Sequence, residues 1–205
     1  VFIRALYSRI YFQITLANEF IRESDASKVS DRGISGADAT EIAYMHAEAR
    51  FLRALSYYHA MDLFGNVPFV TEDDNVGAFL PNQITRTNLF NYIESELKAI
   101  ETELKDARTN EYGRADKAAA WALLSRLYLN AQVYTGTAKY SECITYCNKI
   151  TAIPGYALIN NYRNLFLADN NTTSGSEFIF AVNFDGNKAR TWGGTTFLVH
   201  APIVG

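Results

Sequence analysis

The chain has 205 residues, 48% of them apolar, and a net charge of −3 with acidic and basic residues interspersed. That is enough chain and enough apolar content to bury a core. The absence of a basic stripe argues against nucleic acid as a partner, and no apolar run approaches the roughly 18 residues a membrane-spanning helix needs. Aromatics reach 14%, a high share that leaves some rings for an exposed binding role beside those in the core.

Residues 2–23 are predicted to form a helix whose apolar face carries Phe2, Leu6, Ile10, Ile14, Ala17 and Ile21. Asn18 falls late in it and is expected to make a structural hydrogen bond, since a buried amide without a partner is costly. Residues 24–38, with Gly33 and Gly36, are predicted as a loop. A second, long helix is predicted from Ala37 or Thr40 to Phe64, capped by Asp38 or Thr40. Small alanines between its large side chains let neighbouring helices approach on more than one side. His46, Arg50, Arg53 and Tyr57 lie along another side of it. There, either arginine is expected to reach a carboxylate or helix-end carbonyls, the alternative being direct ligand contact.

Gly65 and Pro68 stop the helix. Residues 65–85 form a long irregular connection, and Asp73, Asp74 and Asn75 within it form a solvated acidic turn, because the EF-hand ligand pattern does not follow. A third helix is predicted over 87–107, with Thr85 or Thr87 as cap, a stripe of Leu89, Ile93, Leu97, Ile100 and Leu104, and a Glu94–Lys98 pair one turn apart. A fourth runs from the Asp116 cap to about Tyr134, with Trp121, Leu124 and Tyr128 inward. A fifth covers 138–151, with Tyr140, Ile144, Cys147 and Ile150 on one side, and ends before Pro154-Gly155. Cys143 and Cys147 are expected to be small buried hydrophobes, neither bridged nor metal-binding.

Helices paired in this way predict a mainly α fold of tetratricopeptide-like hairpins stacked as an α-α superhelix. Residues 1–155 form the scaffold, and 156–205 a loop and strand segment of the same domain. In that segment a helical turn is expected within 160–171, a short β-strand over 177–184, and a turn at Asp185-Gly186.

The sequence contains no phosphate loop, dinucleotide fingerprint, nucleophile elbow or zinc signature. Its acids mostly fall on solvated helix faces, whereas a glycosidase needs two carboxylates facing each other across a bond. An enzyme is therefore not expected, and neither is a cofactor or a metal. A sugar site asks for less: a flat ring to stack on the apolar face of a pyranose, with polar groups around it. Trp192, flanked by glycines, is the first candidate ring, and Asn187, Lys188 and Arg190 are the candidate polar contacts. Tyr162 is the second candidate ring. The alternative for Trp192 is a ring wedged against the helices. Trp121, in an alanine-rich helix, is expected in the core, and Phe79 is the weaker candidate for lack of a polar handle.

Two blocks carry a family resemblance. The first is Glu48-Ala-Arg-Phe-Leu-Arg-Ala-Leu-Ser-Tyr-Tyr58 followed by Leu63-Phe-Gly-Asn-Val-Pro68. The second is Gly113-Arg-Ala-Asp-Lys-Ala-Ala-Ala-Trp-Ala-Leu-Leu-Ser-Arg-Leu-Tyr-Leu129. In this order and spacing they resemble the SusD/RagB family, surface glycan-binding lipoproteins of Bacteroidetes. The resemblance implies four helical hairpins as scaffold and a place on the extracellular face of the outer membrane, through a lipid anchor absent from this chain. It also implies non-catalytic binding of an oligo- or polysaccharide such as starch, and delivery to a SusC-like TonB-dependent porin. Family members are longer, so the chain is expected to be a fragment lacking the anchor and a C-terminal portion. The family's binding positions vary with the glycan, so Trp192 rests on local reasoning alone. A helical-repeat scaffold that binds a protein is the alternative function.

Overall fold

The computed structural model describes residues 2–77, 79–167, 169–184 and 187. The long helices are α1 (Phe2–Glu23), α3 (Gly36–Phe64), α4 (Arg86–Ile100), α5 (Lys117–Leu129) and α7 (Tyr140–Thr151). Between them lie the short helices α2 (Ala26–Asp31) and α6 (Ala131–Thr135), and α8 (Asn170–Thr173) follows. One antiparallel pairing, β1 (Val67–Pro68) with β2 (Gln83–Ile84), closes the connection after α3. Helix α1 packs on α3, α3 on α4, α4 on α5 and α5 on α7, a stack of neighbouring helices as expected for tetratricopeptide-like hairpins.

Helix α3 sits in the middle because its alanines admit helices from two sides. Ala47, Ala54 and Ala60 are fully buried, and Phe51, Tyr57 and Met61 fill the space between them. Helix α4 brings Leu89, Phe90, Ile93, Leu97 and Ile100 against it, all fully buried. Helix α1 contributes Ile10, Ile14, Ala17 and Ile21, while Phe2 and Leu6 at its start are exposed. Thr85 and Asp116 cap α4 and α5 as expected, accepting from the N–H groups of Asn88 and Ala119. Gly65 ends α3 with φ at +74°, a backbone that side-chain-bearing residues rarely adopt. None of the helices among the described residues is long and apolar enough to cross a membrane.

Several expectations are corrected. Residues 24–38 are not all loop: Asp25 accepts from the Ser27 N–H and nucleates α2. Helix α3 begins at Gly36 after Ser35, so neither Asp38 nor Thr40 caps it. Helix α4 ends at Ile100 instead of 107, where the N–H groups of Glu103 and Leu104 converge on the Ile100 carbonyl. The fourth predicted helix breaks at Asn130 into α5 and α6. In α7 the inward side is Cys143, Tyr146 and Ile150, so Tyr140, Ile144 and Cys147 face solvent and Cys147 is not a core residue. The strand over 177–184 is not formed. The alternation is there, but among the described residues no neighbouring strand completes a ladder, and Phe180 packs on the helical core instead.

The helices are stitched by ion pairs. Glu94 accepts from Lys98, Lys139 and Tyr128 at 2.8–2.9 Å. Burial opposes its ionisation, but these three donors outweigh it and hold its carboxyl at about 2, against an ordinary 4.5. A carboxylate depressed in the folded state contributes stability above its unfolded pKa and loses it as pH falls toward the folded one. The stability difference between the native chain and Glu94→Gln is therefore expected to be constant near neutrality and to shrink between about pH 4.5 and pH 2. Urea denaturation across that range measures it, and a difference independent of pH would contradict the assignment.

Candidate functional site

Beyond α7 the chain builds a non-helical wall. Ala157 N–H donates to Ser176 O at 3.1 Å, and Ile159 N–H to a Glu177 carboxylate oxygen at 2.8 Å, so residues 157–159 and 176–177 run together. Phe180 then meets Phe51 of α3 edge-on, ring centroids 5.3 Å apart, and docks this wall on the scaffold. Between the wall and the turn before α5 lies a cavity of about 200 Å³, whose lining includes Arg108, Tyr112, Tyr156, Asn171 and Phe178.

Arg108 is set with care. Its backbone adopts φ +63°, and its N–H donates to the Asp116 carboxylate at 2.7 Å. Its guanidinium lies over the Tyr156 ring, 4.9 Å from the centroid. Gly155 makes room for this, since a Cβ there would sit 3.1 Å from Arg108 Nε. Burial, and secondarily the Asp116 charge, push the Tyr156 phenol up to about 12, so it stays protonated and can donate.

Tyr162 opens a 3-10 turn, Tyr162–Phe166, which Asn161 caps through the Arg163 N–H at 3.1 Å. Asn170 of α8 donates to Leu165 O at 2.8 Å and ties the turn to the helix that supplies Asn171 to the cavity. Tyr162 and Phe166 pair edge-to-face at 5.1 Å and stand 71% and 69% exposed. Two adjacent rings left in water are a ready stacking surface. The sequence reading named Tyr162 and missed Phe166, although the spacing of four was available. Asn187 is exposed. Trp192, Lys188 and Arg190 lie outside the described residues. Trp121 is half-buried and donates to Glu101 at 2.9 Å, so it is a seam residue and not a free platform.

The groups that resemble catalytic sets are committed to structure. Ser24 donates its hydroxyl proton to Phe20 O at 2.6 Å, and its oxygen lies 2.9 Å from His46 Nδ1. Glu48 is held by Arg114 and Asn110 at 2.8–3.0 Å. Among the described residues no group of three or more His, Cys, Asp or Glu could hold a metal ion.

A stacked-helix scaffold with an aromatic-bearing wall defines a class, and comparison with known proteins gives the family. The SusD-like family model, described as starch-binding and associating with the outer membrane, matches residues 2–129. The chain belongs to this family. The starch-binding protein SusD of Bacteroides thetaiotaomicron is 40% identical over 196 residues, covering 95% of this chain and 33% of SusD. A laminarin-binding SusD-like protein of known structure has a TM-score of 0.74 at 27% identity, covering 93% of this chain and 40% of that one. A SusD-like carbohydrate-binding protein from Bacteroides fragilis has a TM-score of 0.73 at 25% identity, covering 92% and 34%. The chain thus spans about a third of the length of SusD.

Proposed function

We propose that the protein binds an oligo- or polysaccharide at the outer surface of the outer membrane, without catalysis, and delivers it to a SusC-like TonB-dependent porin. The observation that carries this is the exposed Tyr162–Phe166 pair, on a wall outside the helical scaffold, in a chain of the SusD-like family. Residues 1–155 are then the scaffold and 156–205 the segment that meets the glycan. Trp192 is proposed as the main stacking ring and Tyr162 as a second, with Asn187, Lys188 and Arg190 giving polar contacts. The names of the relatives speak of starch, laminarin and carbohydrate, which supports a glucan as the first ligand to try.

A second reading, a helical scaffold for a protein partner, is favoured by Phe12, Leu16 and Phe20, exposed at one-turn steps along α1. Calorimetric titration with maltoheptaose and laminarihexaose separates the two. Trp192→Ala is expected to weaken binding about thirtyfold, as loss of a central anchor does. Tyr162→Ala is expected to weaken it about fivefold, as loss of one stacked ring does. Unchanged affinity in both variants would remove this site, and a folded chain that binds neither sugar would favour the protein-scaffold reading.

A further inference from the structure

We infer that the cleft between the 69–85 connection and the start of α4 is a second glycan subsite, with Phe79 as its stacking ring. The inference rests on the glycan-binding reading above and adds a second place for the same ligand class. The cleft has a volume of about 580 Å³, within the roughly 300–1,000 Å³ of small-molecule sites. Phe69 and Phe79 supply its rings, and Asn82, Gln83 and Asn88 its amides. Its lining contains no Lys, Arg or Glu, and its one acid, Asp74, is occupied by the Thr71 N–H at 2.7 Å. Rings and amides beside a single carboxylate that is already engaged suit a neutral polyhydroxyl ligand. Among the described residues the side-chain amides of Asn82 and Asn88 make no hydrogen bond. Phe79 is 44% exposed and also forms part of a smaller cleft of about 200 Å³ on the other flank of the connection, beside Thr15 and Asn75. One ring therefore lines two neighbouring clefts.

The base of this connection is held rigid by side chains from the scaffold. Tyr11 donates to Pro68 O at 2.8 Å, Asn18 to Val70 O at 3.1 Å, and Arg22 Nε to Glu72 O at 3.0 Å. Tyr57 both donates to Val70 O at 2.7 Å and accepts from Val70 N–H at 2.8 Å. Joining β1 to β2 does not require four side chains on an irregular segment. They fix the stretch 68–72 from which the connection leaves the scaffold, and ordering already done there lowers the cost of binding.

Two subsites on separate segments make affinity depend on ligand length, since a long chain that engages both gains by effective concentration. The test compares soluble starch and laminarin with maltotriose and laminaritriose, by affinity electrophoresis and calorimetry. The native chain is set beside Phe79→Ala and Asn88→Ala, both solvent-facing positions. Each variant is expected to bind the polymer about tenfold more weakly while binding the trisaccharide unchanged. If the native chain binds the polymer and both variants match it, the second subsite is overturned and the first stands. If the native chain binds no glucan of either length, the glycan reading fails and takes this inference with it.

Discussion

Arg53→Ala is expected to lower the unfolding free energy by about 3–5 kcal/mol, the cost of removing one partner from a buried ion pair. Arg53 is 2% exposed, yet its guanidinium serves three elements. It pairs with Glu72 of the connection, donates to Glu96 of α4 at 2.9 Å, and donates to Asn18 of α1 at 2.9 Å. Glu96 keeps Arg50, which also reaches it at 2.9 Å, but Glu72 loses its only ion-pair partner among the described residues. The loss therefore concentrates on Glu72. Adding Glu72→Gln to Arg53→Ala is expected to restore part of the stability, so the two changes are non-additive. Urea denaturation of the single and double variants measures this. A loss below about 1 kcal/mol for Arg53→Ala would mean the charge is not the element that joins α1, α4 and the connection.

Phe51→Ala is the second large effect, again about 3–5 kcal/mol, as expected for a buried Phe truncated in a packed core. Phe51 is 2% exposed at the centre of α3, and its ring is the seat for Phe180. The truncation removes core contacts and undocks the wall that bears the candidate site. Hydrogen exchange should then rise over 176–181 more than over α4. Phe51→Leu, which keeps most of the volume, should recover much of the stability. Exchange that rises uniformly along the chain would contradict a docking role for this ring.

Both effects involve contacts whose local half was legible in the sequence and whose distant half was not. Apolar periodicity marked α1, α3 and α4, and the caps Thr85 and Asp116 and the stop at Gly65 followed from residue chemistry. Arg50 or Arg53 was expected to reach a carboxylate or helix-end carbonyls, but nothing in a linear pattern picks Glu96 and Glu103 for one and Glu72 and Glu96 for the other. The strand predicted over 177–184 shows the same limit. Alternation marks which residues share a side, but a ladder needs a partner, and Phe180 found a helix instead. In α7, period alone did not decide which side faces inward. Lys149 settles it by reaching back to Glu101 while lying 4.5 Å from the Tyr146 ring centroid.

For the site, Tyr162 was named from the sequence as the second candidate ring and Phe166 was not, and the turn stands both of them in water. Phe79 was the weaker candidate for lack of a polar handle. Asn82, Gln83 and Asn88 line the same cleft, brought there by the β1–β2 pairing and the start of α4.

The most direct test of the central claim is calorimetric titration of the folded native chain with maltoheptaose and laminarihexaose at matched buffer. Saturable binding of at least one of them, with a negative heat-capacity change from apolar stacking, is the predicted result. A chain that is folded by circular dichroism and gives no heat with either sugar would contradict it.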